Sequence, residues 1–342
     1  MDYHCIKKED KDYVFRIFKA YQEELYSQSI YDTDDIILEV MARLNGPIWR
    51  RTRGELGKDY IFADEMHLFN LNEQQAFHYL TKVGEKDVPI CFALDYAQAI
   101  GDRGDVSDNY IENNYKAVPE NSSKLHTVFR NSTQIMELCA SITASGAMLF
   151  DSYIQPYDRL SSGMTADDED DCDMPELYMF PSDDTMFTEL DRMVNERIEK
   201  FRLRASDVAV VVFDYALFDE KKESKIGKNK VLRIDGRVQV DQDKNKDSVI
   251  WSLPEYISGL EFDSVYLVGI DLGRVPTDSC LKISQNFQRY SAYNKLYVTC
   301  SRARKHIAIL GNQARGISPC LEYAIEKGTI KDKSAGANKA GF

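Results

Sequence analysis

The sequence lacks any run of about 18 apolar residues, so it predicts no transmembrane helix. Its first residues are polar and lack the apolar segment of a signal peptide. The seven cysteines are odd in number and form no C-x-x-C pair, which argues against zinc ribbons and cysteine-ligated iron–sulfur clusters. We therefore expect a cytoplasmic protein in a reducing compartment.

Positive charge is also scarce. The 342 residues carry a formal net charge of −13, and contacts to phosphates come from Lys and Arg. Indiscriminate binding to nucleic acid is therefore disfavoured. Three short basic segments, 50–53, 200–204 and 302–305, are each either part of a local basic track or ordinary solvated surface.

The spacing of apolar residues predicts an α/β fold. Two helices are expected over 12–28 and 34–44, followed by a basic loop to Lys58. Short apolar runs then alternate with helices, which is typical of a parallel sheet covered on both faces. The predicted strands are 60–63, 88–94, 125–129, 208–213, 249–253, 265–270 and 307–310, and the predicted helices are 72–83, 132–144, 185–201 and 293–304. The acidic segment 167–173 is expected to be a loop, and 331–342 a loose tail.

Two acidic residues, Asp64 and Glu65, directly follow the apolar run 60–63. If that run is a buried parallel strand, both carboxylates lie at the carboxyl edge of the sheet, where such sheets bind ligands. In nucleotide hydrolases the first acid holds Mg²⁺ and the second acts on the attacking water. Strands also end in Asp-Glu by chance, so the pattern alone leaves both interpretations open.

Polar side chains follow two further predicted strands. After the run 88–94 the chain reads Asp-x-x-Gln-x-Ile, which places Asp95 and Gln98 at a strand end; an ordinary turn is the alternative. After the run 125–129 comes Arg130, and a guanidinium there can bind two phosphate oxygens at once.

Two segments in the second half complete the pattern. Residues 258–265 read Ser-Gly-Leu-Glu-Phe-Asp-Ser-Val, in which Gly259 lets a ligand approach the backbone closely and Glu261 follows two residues later. Residues 296–305 read Leu-Tyr-Val-Thr-Cys-Ser-Arg-Ala-Arg-Lys and include Arg302. A cation at a helix carboxyl terminus is favoured in any case, so Arg302 alone is not diagnostic.

In this order, the five segments resemble the motifs of superfamily 1 DNA helicases of the UvrD/Rep type, over about residues 30–312. The resemblance implies two RecA-like domains, each a parallel sheet flanked by helices, with ATP bound between them. It assigns Asp64 to Mg²⁺, Glu65 to the attacking water and Gln98 to sensing the γ-phosphate. It also implies single-stranded DNA or DNA junctions as partners, and no membrane.

The resemblance extends to the remaining candidates. Asp95, Gly259 and Glu261 are implied to contact the nucleotide. Arg130 and Arg302 are implied to act on its phosphates from the second domain, with Arg302 as the arginine finger, a group that can contribute roughly 10³–10⁵ in rate.

The sequence departs from the family at several positions. Val128 and Phe129 replace the usual Asn and Tyr, and Ser258 replaces the usual Lys. Glu255 stands near the usual His. In the family, this Lys and this His are polar or basic contacts beside DNA or phosphate. Their replacement is therefore expected to affect the strength of the coupling to DNA.

The phosphate-binding loop, Gly-x-x-x-x-Gly-Lys-Ser/Thr, does not occur in the sequence, and 63 residues precede Asp64 where the family has well over a hundred. We expect an incomplete first RecA-like domain at 1–120, a second at 121–315 and an extension at 316–342. The missing central strand predicts exposed edges and apolar faces near Phe62 and Phe92.

Three explanations remain: a gene fragment, a split motor whose partner chain carries the Walker A loop, or a degenerate relative. The predicted function is an ATP-dependent DNA helicase or translocase that is inactive alone. The alternative is a non-catalytic module that binds DNA or a partner protein.

Overall fold

The computed structural model describes residues 8–83, 89–94, 123, 125, 127–147, 161–165, 168–169, 172–220, 225–236, 240–277 and 282–334. The chain divides into two compact units, one of Met1–Tyr96 with Asp102–Asn121 and one of Ala97–Gly101 with Ser122–Phe342. None of the described helices is long and apolar enough to cross a bilayer.

The first unit contains four described helices and a two-stranded parallel sheet. The helices are α1 (Lys8–Gln28), α2 (Thr33–Leu44), α3 (Pro47–Leu56) and α4 (Leu71–Leu80), and the strands are β1 (Ile61–Ala63) and β2 (Ile90–Phe92). A capping box formed by Asn70 and Glu73 starts α4, so the predicted start at Asn72 is two residues late.

The predicted basic loop before Lys58 is wrong, because α3 occupies most of it. Pro47 stands in the first turn of α3, where its missing N–H costs nothing. Trp49 Nε1 donates to the carbonyl of Tyr79 (2.8 Å), and Arg53 donates to the carbonyls of His78 (2.7 Å) and Val83 (2.6 Å). Trp49 and Arg53 thus provide hydrogen-bond donors for carbonyl groups at and just after the end of α4.

The prediction of a buried first strand is wrong for most of its length. Ala63 is buried, but Tyr60 is 70% exposed and Phe62 79% exposed. The exposure of Phe62 agrees with the expected apolar face beside this strand. Helix α1 adds exposed aromatic residues to the same unit: Tyr13, Phe15, Phe18 and Tyr21.

The second unit is a mixed α/β structure built on an eight-stranded sheet. Its strands are β5 (Glu176–Phe180), β6 (Val208–Val212), β7 (Lys225–Ile226), β8 (Asn229–Ile234), β9 (Ser248–Ser252), β10 (Phe262–Val268), β11 (Ala303–Asn312) and β12 (Lys331–Asp332). The order is β12-β5-β11-β10-β6-β9-β8-β7, and every pairing is parallel except β7 with β8. A separate pair, β3 (Thr127–Val128) and β4 (Ser161–Ser162), is also parallel.

Helices cover both faces of this sheet, as the α/β prediction requires. One face packs on α5 (Thr133–Ala147) and α8 (Lys282–Cys300) through residues such as Leu138 and Leu296. The other face packs on α6 (Asp183–Phe201) through residues such as Leu190 and Trp251. Two short helices, α7 (Tyr215–Glu220) and α9 (Glu322–Glu326), complete the α-helices whose bounds the structure describes.

Two boundaries differ in ways that affect the site. The predicted helix 293–304 ends at Cys300, and β11 begins at Ala303 rather than at residue 307. Arg302 therefore lies in the tight turn between helix and strand, not in the helix. The predicted tail is also partly ordered, since Lys331 and Asp332 pair with β5.

Candidate functional site

Three of the predicted segments meet at the amino-terminal edge of the eight-stranded sheet. Glu261 directly precedes β10, and Arg302 directly precedes β11. Because β10 and β11 are parallel neighbours, their first residues lie side by side. The segment after β3, which carries Arg130, reaches the same place because Asn131 and Ser132 donate hydrogen bonds to the start of β11.

Asn131 joins this segment to the start of β11. Its side chain is nearly buried, and Nδ2 donates to the carbonyls of Ser301 (3.0 Å) and Ala303. The backbone N–H of Ser132 donates to the carbonyl of Arg304 (3.1 Å), and that of Phe262 donates to the carbonyl of Arg302 (2.9 Å). Residues more than a hundred positions apart are thus fixed in one backbone network.

Arg130 and Glu261 form an ion pair at this edge. The distance from Nη2 to Oε1 is 2.6 Å, and the two side chains are 36% and 44% exposed. Exposed ion pairs contribute about 0–1 kcal/mol, because water screens the charges and two long side chains must be ordered. Either group can therefore change partner at small cost.

Gly259 forms the turn that leads to Glu261. Its φ is +80°, a conformation that side chains with a Cβ rarely adopt. A Cβ built on it meets no atom within 4 Å, so the turn needs glycine for its backbone angle and leaves open space above it.

Arg302 is placed differently from Arg130. Its side chain is only 1% exposed; Nε donates to the carbonyl of Val298 (3.2 Å), and Nη2 donates to Ser301 Oγ (3.3 Å). The guanidinium is therefore held against the end of the preceding helix, α8. Its role as an arginine finger stays a prediction.

Glu255, which stands near the usual His of the resembled family, pairs with Lys295 of α8. The distance from Lys295 Nζ to Glu255 Oε1 is 2.5 Å. This pair neutralises the carboxylate.

In the first unit, Asp64 and Glu65 follow β1 as predicted. Asp64 is exposed, and its Oδ1 accepts the backbone N–H of Glu65 (2.9 Å). Glu65 has a left-handed backbone, with φ of 52° and ψ of 46°, which costs of order 1–3 kcal/mol outside glycine. Its Oε2 lies 3.0 Å from Nε2 of the buried His67, a partner that the sequence reasoning did not single out.

A single exposed carboxylate fits the coordination habits of Mg²⁺. This ion is usually bound through one or two protein carboxylates together with waters and substrate phosphates, and Asp64 offers one carboxylate at a strand end. No group of three or more potential metal ligands occurs in the described parts of the chain. Asp95 and Gln98 lie outside the described residues.

No protein-family model matches the chain, and no curated protein matches it. One solved structure that resembles it is the C-terminal domain of a possible DNA helicase from Lactobacillus plantarum WCFS1. The identity is 16%, the match covers 60% of this chain and 99% of that domain, and the TM-score is 0.39.

Proposed function

We propose that this chain forms part of an ATP-dependent DNA helicase or translocase of superfamily 1, of the UvrD/Rep type, with RecA-like domains. The observation that carries the proposal is the convergence of three helicase-like segments at one sheet edge. Arg130 and Glu261 touch, and Asn131 ties their neighbourhood to the turn that contains Arg302. A chance match to three motifs would give no reason for them to meet.

Asp64 would hold Mg²⁺, and Glu65, which has a left-handed backbone and contacts His67, would act on the attacking water. Arg130 exchanges Glu261 for phosphate oxygens, to which a guanidinium can bind in bidentate fashion. Asp95, Gln98, Gly259 and Arg302 complete the proposed nucleotide contacts.

We further propose that a separate polypeptide segment supplies the phosphate loop. Large exposed apolar surfaces mark protein–protein contact sites, and the first unit exposes Phe62 together with the aromatic residues of α1. These exposed apolar side chains also favour the second candidate function, a non-catalytic module that docks on a partner protein.

The test is ATP hydrolysis with and without single-stranded DNA, by the chain alone and with the polypeptide encoded directly upstream. We expect turnover only in the mixture, stimulated by DNA and lost in Glu65→Gln. Turnover by the chain alone would contradict the need for a second segment. Absence of ATP binding in a stable mixture would refute the enzyme and favour the docking module.

A further inference from the structure

A second basic feature lies on the same sheet edge, beside the three helicase-like segments. It is an open cavity of about 400 Å³ near the first residues of β6, β8 and β9. Four cationic side chains line it: Arg204, Lys228, Lys230 and Lys246. We call this feature the basic pocket.

The cations of the basic pocket are not all neutralised. Arg204 pairs with Asp207 (2.7 Å) and Asp243 (2.8 Å), and Lys228 pairs with Glu199 (3.0 Å). Lys230 and Lys246 are exposed, and within the described ranges neither has a carboxylate oxygen within 4.0 Å of its Nζ atom. Among the described residues, Asp247 is the one acidic residue that lines the cavity. Lys230 and Lys246 therefore form a local basic patch on a chain of net charge −13.

Backbone hydrogen bonds hold Lys230 and Lys246 at the edge of the sheet. Lys230 belongs to β8, and its backbone N–H donates to the carbonyl of Asp247 (3.1 Å), directly before β9. The carbonyl of Lys246 accepts the backbone N–H of Ser206 (3.3 Å). Their Cα positions are thus fixed, while their side chains remain free to follow a ligand.

The loop before β9 also connects the basic pocket to the Arg130–Glu261 pair. Gln242 Nε2 donates to the carbonyls of Ser206 and Glu261, both at 3.0 Å. Along the sheet edge, β10, β6, β9 and β8 are consecutive neighbours. Three strand spacings separate Glu261 from Lys230, which is roughly 14 Å. That length is enough for consecutive backbone phosphates of one nucleic-acid strand.

We propose that the basic pocket binds backbone phosphates of a nucleic-acid strand that runs along this edge toward Glu261. The proposal rests on the proposed function for the presence of nucleic acid, and it adds a binding surface outside the helicase-like segments. The other side chains of the cavity are aliphatic or amide groups, namely Ile198, Leu203, Ala205 and Asn229. Because no aromatic ring occurs among the described residues that line the cavity, and bases stack on such rings, contact through phosphates predicts binding without sequence preference.

The test compares two charge-matched double variants in the full chain. K230Q/K246Q removes the unpaired cations of the basic pocket, and K327Q/K331Q removes two exposed lysines elsewhere in the same unit. Binding of a fluorescein-labelled oligo(dT) is followed by fluorescence anisotropy from 50 to 200 mM salt. Melting temperatures of both variants confirm that each remains folded.

Loss of two phosphate contacts makes the negative slope of log K against log salt less steep by about 1.4. At 0.1 M salt, this change corresponds to a roughly 25-fold weaker affinity. We expect this change in K230Q/K246Q and an effect within about twofold in K327Q/K331Q. Equal weakening in both variants, or none in the first, would overturn the basic pocket while leaving the proposed function in place.

Tripolyphosphate serves as a second probe that separates the sources of phosphate. Competition with oligo(dT) in the wild type, and loss of that competition in K230Q/K246Q, would support the shared site. Binding of tripolyphosphate without any binding of oligo(dT) would overturn the nucleic-acid assignment. Binding of neither probe would refute the basic pocket as an anion site.

Discussion

Substitution of Asn131 by alanine is expected to destabilise the second unit and disturb the site together. The change removes two hydrogen bonds from Nδ2 to the carbonyls of Ser301 and Ala303 in a nearly buried position. A hydrogen bond contributes about 1 kcal/mol net, and a buried acceptor left unsatisfied costs about 1–3 kcal/mol. We therefore expect a loss of about 2–4 kcal/mol in the free energy of unfolding.

The assay is urea unfolding followed by circular dichroism, with Asn245→Ala as the matched control. Asn245 also donates through Nδ2 to a backbone carbonyl, that of Asp241 (2.8 Å), but at an exposed loop. We expect the control to lose less than about 1 kcal/mol, because water replaces its partner. Equal effects of the two variants would refute the view that Asn131 joins the segments of the site.

Three further predictions follow from single features. A double-mutant cycle of Arg130→Ala and Glu261→Ala is expected to give a coupling of about 0.2–1 kcal/mol in urea unfolding, because the pair is half-exposed; a value above about 2 kcal/mol would contradict its readiness to exchange partners. Phe62→Lys is expected to reduce self-association in sedimentation velocity more than Leu272→Lys, since Phe62 is 79% and Leu272 51% exposed; equal behaviour would argue against the exposed sheet face as the contact. Burial, followed by the charge of Arg197, lowers the pKa of His306 from 6.5 to about 3. The unfolded chain therefore takes up the proton first, and stability should fall as the pH decreases from about 6.5 toward 3, a trend that His306→Gln should weaken in pH-dependent urea unfolding.

The sequence predicted the central strands of the second unit well, because those strands are continuous apolar runs. Val208–Val212 is fully buried, and runs of this kind are typical of parallel strands covered on both faces. The strands it missed lie at or near the sheet edges. The β7–β8 hairpin carries Lys225, Lys228 and Lys230, and charges of this kind are common on edge strands because they discourage pairing with other chains. A search for apolar runs does not detect them.

The site was predictable only as a set of residue types. Resemblance selected Arg130 and Glu261 separately, and nothing in their spacing indicated that they would touch. Asn131 was not selected, because its partners are backbone carbonyls that no residue pattern encodes. The basic character of residues 302–305 concealed the start of β11, since Arg302 to Lys305 resembles the polar end of a helix as much as the start of a strand.

The two arginines of the site differ in what a ligand must do to recruit them. Arg302 is buried and bound to Val298 and Ser301, so moving its guanidinium breaks hydrogen bonds in a place from which water is excluded. Arg130 pairs with the exposed carboxylate of Glu261 on the same edge, and that interaction contributes about 0–1 kcal/mol. A phosphate that approaches the open space above Gly259 can therefore take Arg130 from Glu261 while the Asn131 network keeps the backbone in place. Arg302 can follow only if the turn between α8 and β11 changes its conformation.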